Sequence, residues 1–395
     1  MRIAILTNAF PPLSRGGAGQ IASMQADWLA QHGHEVKVWT PAPFPETEGR
    51  NVVESFKPRT SVPFAKLSKA VAPARLMFHL EDLAPNLKAI DQIRAWNPDV
   101  LLTHNLTGCG WGTPRILKAS GVRWVHILHD VQMFEPSGQM RATCDTRYVT
   151  RNSPPDISRI KYHFSLKLWR NFWSTRRAKA FGLPDLVVSP SQWLLDVHRE
   201  HGLLANVKTQ VLPNPIEIPR GFCENTISEQ LKVVCNARMS EDKGIQVLLD
   251  AWQSLDPRPG RLELISGGPM LAKIKKLDDP SIGVHGQLPH EEAMIIMSSA
   301  NLLVMPSIIM ENQPTVLLEA VAAGLNVVAS DVGGVREMLQ GYGTIVPPGD
   351  VPALAKAIRQ TLKEPINPQI REQILAKHNF DAVMGELVGK LTIKN

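Results

Sequence analysis

The chain is poor in cysteine: only Cys109, Cys144, Cys223 and Cys235 are found among 395 residues. They form no C-x-x-C pair and no compact framework. That argues against a disulfide scaffold and a zinc site, and fits reduced cytosolic thiols. Long apolar runs are missing as well. No stretch approaches the roughly eighteen uninterrupted apolar residues of a membrane-crossing helix. The opening run from Met1 to Leu6 meets Asn8 and then Pro11-Pro12. It is too short for a secretory signal and reads as a first strand. Several chemistries lack their residues. His290-Glu291-Glu292 has no second histidine to complete H-E-x-x-H. There is no G-x-S-x-G elbow, no Walker loop and no D-x-D pair for a metal ion. No internal repeat or low-complexity segment is present.

What is present is ordinary for a globular protein, with 44% hydrophobic and 20% charged residues. The length suits two domains of near-average size. The net charge of +6 is uneven: residues 1–205 carry 25 Lys and Arg against 16 Asp and Glu, the remainder 18 against 21. A basic first half suits an anionic partner, and it equally suits a few extra surface lysines.

The pattern along the chain is β-α-β. Residues 2–7 and 35–40 read as strands around a helix carrying Ile21, Met24, Trp28 and Leu29, with Gly33 at its C-terminal cap. Apolar runs return at 99–103, 122–128 and 185–189. The rhythm pauses at Pro213-Asn214-Pro215 and resumes at 231–237, 261–265, 282–285, 302–305 and 326–329. A final helix is expected over roughly 369–392. Two doubly wound α/β domains follow, with a joint near 213–226. Ligands of such sheets bind outside the carboxyl ends of the strands, so a cleft between the domains is expected.

Two glutamates, Glu311 and Glu319, lie eight residues apart around the start of an apolar helix. A carboxylate can accept hydrogen bonds from two adjacent sugar hydroxyls, and open N–H groups at a helix start favour a phosphate. The same spacing also fits a capping glutamate and a surface one. Arg238 and Lys243, five residues apart with Gly244 closing the turn, can converge on a diphosphate. A solvated loop of mixed charge fits as well. Arg15-Gly16-Gly17-Ala18-Gly19-Gln20 lets backbone N–H groups approach an anion. Gly17 to Ala22 also satisfies G-x-G-x-x-A, but that fingerprint should follow its strand at once, and Asn8 to Arg15 intervene. His129 ends an apolar strand, where it faces a ligand. His126 and His104 read as packed histidines. The same strand-end reasoning makes Asn214, Gly268 and Leu288 weaker nucleotide contacts. From Arg159 to Lys179, basic residues alternate with Tyr162, Leu166, Trp169 and Trp173 on one helical stripe. Such a helix can lie on a membrane surface or pack its aromatic face internally.

The segment from Val304 through Glu311, Glu319 and Gly324 to Gly334 and Glu337 resembles the E-x7-E region of retaining glycosyltransferases of the GT-B fold, in particular glycosyltransferase family 4. Arg238 to Gly244 resembles the family's R-x4-K-G element. The glycine loop at Gly16 and Gly17, the strand-end His129 and the turn at Gly267-Gly268 are similar to further family features. Many relatives have Gly where this chain has Pro314.

The resemblance implies two Rossmann-like domains, 1–213 for the acceptor and 214–378 for the nucleotide sugar, with a last helix of about 379–395 returning to the first. It implies Glu311 and His129 on the donor sugar, Glu319 on the ribose, and Arg238 and Lys243 on the departing diphosphate. Leu288 would contact the base through its backbone, and the Asn312, Gln313, Pro314, Thr315 and Val316 loop would select the donor. The expected reaction is retaining transfer from a UDP- or GDP-sugar to a glycan or lipid-linked acceptor of the cell envelope. No metal, other cofactor or nucleic acid is expected. The expected location is cytoplasmic, with peripheral contact to the inner membrane face through 159–179. A nucleotide-sugar epimerase of the same fold and a non-catalytic nucleotide-sugar-binding protein are the alternatives.

Overall fold

The computed structural model describes residues 1–11, 17–41, 52–57, 72–135, 172, 175–216 and 231–392, with the backbone alone at 52 and 72–76. The chain divides into two compact units. One holds the described residues among 1–135, 172, 175–214 and 384–392, the other those at 215–216 and 231–383.

The first unit carries β1 (Arg2–Leu6), β2 (Glu35–Thr40), β3 (Val52–Ser55), β4 (Val100–Thr103), β5 (Arg123–Ile127), β6 (Leu186–Ser189) and β7 (Thr209–Val211), ordered β3-β2-β1-β4-β5-β6-β7. Every pairing is parallel. A parallel sheet is covered on both faces, which is why β1 and β4 are apolar but for Arg2 and Thr103 and are almost wholly buried. Helix α1 (Gly17–Gln31) links β1 to β2 and buries Ile21, Trp28 and Leu29. It ends in a Schellman motif: the Gly33 N–H reaches the Ala30 carbonyl and the His34 N–H the Leu29 carbonyl, with Gly33 at φ +81°. Helices α2 (Ala72–Glu81), α3 (Leu87–Trp96), α4 (Thr113–Ala119) and α5 (Gln192–Glu200) complete the named helices up to β7.

The second unit repeats the plan. Its strands are β8 (Lys232–Asn236), β9 (Arg261–Ile265), β10 (Ile282–Gly286), β11 (Leu302–Met305), β12 (Asn326–Ser330) and β13 (Thr344–Val346), ordered β10-β9-β8-β11-β12-β13 and again parallel. Both sheets therefore reverse direction once, at β1/β4 and at β8/β11, the places where doubly wound sheets open a crevice at their carboxyl edge. Side chains alternate across the second sheet. Val233 and Cys235 of β8 join one apolar cluster with α6 (Ile245–Gln253), while Val234 between them joins the opposite cluster with α9 (Thr315–Ala322). Helices α7 (Leu271–Ile274), α8 (His290–Ser298), α10 (Val335–Leu339) and α11 (Val351–Thr361) fill the remaining connections.

Two features differ from the sequence expectation. The single helix over 369–392 is two helices, α12 (Pro368–Lys377) and α13 (Phe380–Thr392). The break falls where the Asn379 side chain caps α13 through the Ala382 N–H and the His378 carbonyl accepts from Ile216. Strands β3, β7 and β13 lack a sequence signal because each is a short edge strand with partly exposed residues.

Candidate functional site

The loops at the carboxyl edge of the second sheet are tied together by backbone contacts. After β8 the chain makes a 3-10 turn at Glu241–Lys243 and passes through Gly244 at φ +69°. A Cβ at Gly244 would collide with the Pro306 carbonyl, so only glycine lets this turn sit against the end of β11. The Ile308 N–H donates to the Asp242 carbonyl at 3.0 Å. Gly333, at φ +59°, packs on the Glu311 backbone, and the Gly334 N–H donates to the Glu311 carbonyl at 2.9 Å.

These ties fix the Glu311 side chain. Its Oε1 accepts from Lys243 Nζ at 2.5 Å and from the buried Ser307 hydroxyl at 2.7 Å. Its Oε2 has no partner among the described residues and remains the acceptor available to a ligand. Arg238 is exposed, and its guanidinium has no partner among the described residues. Beside it, the Met239 N–H donates to the Gly267 carbonyl, and a Cβ at Gly268 would strike the Met239 backbone. Helix α9 has Pro314 at its N-cap position and no side-chain cap; the Leu317 N–H closes back on the Pro314 carbonyl at 3.1 Å, which leaves the Thr315 and Val316 N–H groups of the first turn open to an anion. Gln313 is buried, while Asn312, Pro314, Thr315 and Val316 are half-buried. Glu319 follows in α9; burial pushes its carboxyl above the ordinary range, opposed by the charge of His290. Leu288 packs against the α9 cluster. Arg238, Lys243, Gly268, Leu288, Glu311 to Val316 and Glu319 thus occupy one edge of one sheet or the helix rising from it.

In the first unit, Gly16 lies outside the described residues. Gly17 opens α1, exposed and with free space around it. Asn214 is half-buried just beyond β7. His129, past the end of β5, is half-buried, and its Nε2 lies 2.7 Å from Nδ1 of the fully buried His104. Burial pushes the His129 pKa down to about 4. His126 is held in the core: its Nδ1 meets the Thr103 hydroxyl at 2.8 Å, which itself accepts from Trp124 Nε1. Its pKa is likewise pushed down to about 3 by burial and neighbouring histidines. The sequence reads His104 as a packed histidine and gives Ser307 no role of its own; the structure buries both and sets the first against His129 and the second against Glu311. The signal for them is position: His104 directly follows β4, and Ser307 lies two residues past β11.

Most of 159–179, with Arg159, Lys161, Lys167 and Arg170, lies outside the described residues. Arg177, one of the basic residues of that stretch, is fully buried. It donates to the Gln132 carbonyl and to His79 Nδ1, stands 4.8 Å from the Trp111 ring, and is balanced by Asp82, Asp130 and Glu135. Paired buried charge of this kind is an internal tie and is not a surface charge. Among the described residues no helix is long and apolar enough to cross a membrane.

The family model for Glycosyltransferase Family 4 matches residues 15–220, and that for Glycosyl transferases group 1 matches residues 230–364. TuaC of Bacillus subtilis (strain 168), assigned as a teichuronic acid biosynthesis glycosyltransferase, is 23% identical over 97% of this chain and 95% of its own. Sucrose-phosphate synthase from Thermosynechococcus elongatus superimposes with a TM-score of 0.70 at 20% identity, covering 99% of this chain and 98% of that one. Anabaena HepE, solved in complex with UDP and glucose, superimposes with a TM-score of 0.67 at 18% identity, covering 99% of both chains. These likenesses show the fold: two Rossmann-like domains in the GT-B class.

Proposed function

The chain belongs to glycosyltransferase family 4, and from that premise we propose that it transfers a sugar from a UDP- or GDP-linked donor to a glycan or lipid-linked acceptor, with retention of anomeric configuration. TuaC's assignment to teichuronic acid synthesis supports a cell-envelope polysaccharide or glycolipid as the product. The observation that carries the reading is the Lys243, Glu311 and Ser307 cluster at the carboxyl edge of the second sheet.

In the proposed reaction the bond from the anomeric carbon to the donor phosphate breaks, and a bond to the acceptor oxygen forms on the same face. Arg238 and Lys243 carry the countercharge for the departing diphosphate, assisted by the open N-terminus of α9. The diphosphate draws Lys243 away from Glu311, whose carboxylate then grips sugar hydroxyls. His129 contacts the donor sugar. Glu319 anchors the ribose, Gly16 and Gly17 cover the phosphates, and Asn214, Gly268, Leu288 and the Asn312–Val316 loop contact the nucleotide and sugar. The leaving diphosphate takes the acceptor proton. No metal is required, so chelation with EDTA should leave the rate unchanged. The protein works in the cytoplasm, attached peripherally to the inner membrane face, and sedimentation with anionic vesicles tests the attachment.

The deciding experiment is a transfer assay with a panel of UDP- and GDP-sugars, with and without lipid-linked acceptor. Donor consumption that depends on acceptor, giving a product of retained configuration, is the expected result. Consumption without acceptor would point to an epimerase. Binding without turnover would point to a non-catalytic protein.

A further inference from the structure

The parallel register of β4 and β5 ends at Thr103 and His126, and beyond it side chains continue the pairing. His104 Nδ1 meets His129 Nε2 at 2.7 Å, Asn105 Nδ2 donates to Asp130 Oδ2 at 2.9 Å, and Thr107 Oγ1 donates to Gln132 Oε1 at 2.7 Å. The loop after β4 is clasped to the loop after β5, and His129 is the clasped residue that the proposed reaction uses.

His104 is fully buried, and burial holds its ring well below the usual histidine range; His129 sits at about 4 for the same reason. Both rings are therefore neutral near pH 7. Two neutral imidazole nitrogens in hydrogen-bond contact share one proton, so one ring donates and the other accepts. If His129 donates from Nε2, the proton of His104 must sit on its own Nε2. That atom is buried and has no partner among the described residues. If His104 donates from Nδ1, its Nε2 is left with only an unused lone pair. Buried N–H groups without an acceptor are the rarer and costlier defect.

We propose that His104 is a positioning residue: it donates from Nδ1 to His129 Nε2 and so holds His129 as the Nδ1–H tautomer, a hydrogen-bond donor toward the substrate and not a base. This rests on the reading of His129 as a donor-sugar contact. Which ring nitrogen carries the proton is set by the bond the other nitrogen makes. With Nε2 occupied, His129 can donate to a sugar hydroxyl or a phosphate oxygen but cannot remove the acceptor's proton. That agrees with a reaction in which the leaving diphosphate takes it.

The test is long-range 1H–15N correlation on the full chain carrying 15N-histidine, with His129 assigned by its loss in His129→Asn. The wild type should show His129 protonated at Nδ1. His104→Asn, whose Nδ2–H stands where Nδ1–H stood, should keep that state, and His104→Phe should lose it. In parallel, kcat should fall about tenfold in His104→Phe, as for one lost hydrogen bond, with the donor KM little changed and most of the rate restored in His104→Asn. His129 protonated at Nε2 in the wild type overturns the proposal, as does an unchanged tautomer or an unchanged kcat in His104→Phe. The wild-type spectrum decides the tautomer even if His104→Phe does not fold. A wild type with the expected tautomer and no sugar transfer would remove the transferase reading and leave the tautomer assignment standing.

Discussion

Lys243 Nζ and Glu311 Oε1 lie 2.5 Å apart, joining the turn after β8 to the loop after β11 across the switch point of the second sheet. Both side chains are partly exposed, so the pair contributes little to stability; its place beside the open N-terminus of α9 points to ligand binding. Lys243→Ala and Glu311→Ala should each lower kcat/KM roughly 10²- to 10³-fold, the effect of removing one charge-stabilising group, while the melting temperature changes little. Steady-state kinetics beside a thermal melt check this. Rates near wild type in either variant would remove these residues from the chemistry.

Ser307 donates to the same oxygen that Lys243 holds. Its hydroxyl is buried, so Ser307→Ala leaves Glu311 with one anchor in place of two and costs about 1 kcal/mol of stability. We expect kcat to fall less than in Glu311→Ala, with a measurable drop in melting temperature. A kcat equal to wild type would show that Lys243 alone orients the carboxylate.

Gly244→Ala tests the packing beneath the site. The left-handed backbone and the Pro306 carbonyl both oppose a Cβ, and the expected loss is about 2–3 kcal/mol. Denaturant unfolding of the variant should show it. An unchanged midpoint would mean that the two loops move apart freely.

Stability should fall as pH drops from about 6.5 toward 4. Burial pushes His126, His129 and His198 down to about 3 to 4, holds His104 well below the usual histidine range, and lowers His34 as well. On unfolding each binds a proton in this window, so each favours the unfolded chain as pH falls. Asp82 and Asp130, raised to about 6 by burial, and Glu319, also raised, act oppositely: they bind protons in the folded state first. The histidines outnumber the carboxylates, so the net slope follows them. Melting temperatures across pH 4–8 read the sign directly, and a melting temperature that climbs toward pH 5 contradicts it.

A nucleoside diphosphate should raise the melting temperature, because it binds the folded state alone. In a panel of UDP, GDP, ADP and NAD we expect a shift with one diphosphate, lost in Glu319→Ala. A shift with NAD alone would revive the G-x-G-x-x-A reading of Gly17 to Ala22.

Much of the fold was legible because a buried parallel strand is a continuous apolar run and a helix has an apolar stripe. Both patterns come from neighbours along the chain. The runs at 99–103, 261–265 and 302–305 fall on β4, β9 and β11 to within one residue. The edge strands β3, β7 and β13 escaped because half-exposed positions need no apolar residue. The break between α12 and α13 escaped because it depends on Ile216, far away in sequence, reaching the His378 carbonyl.

By itself the sequence determined most of the order of strands and helices, the family, and which residue types stand at the strand ends. Those are matters of local pattern. Only the tertiary structure decided which of them touch: Lys243 and Ser307 on one oxygen of Glu311, His104 on His129, and Arg177 inside the first unit. The Lys243–Glu311 and His104–His129 contacts join residues from separate segments of the chain, while Ser307 reaches Glu311 within one loop. Their strength comes from burial and hydrogen-bond geometry, which no stretch of sequence encodes alone.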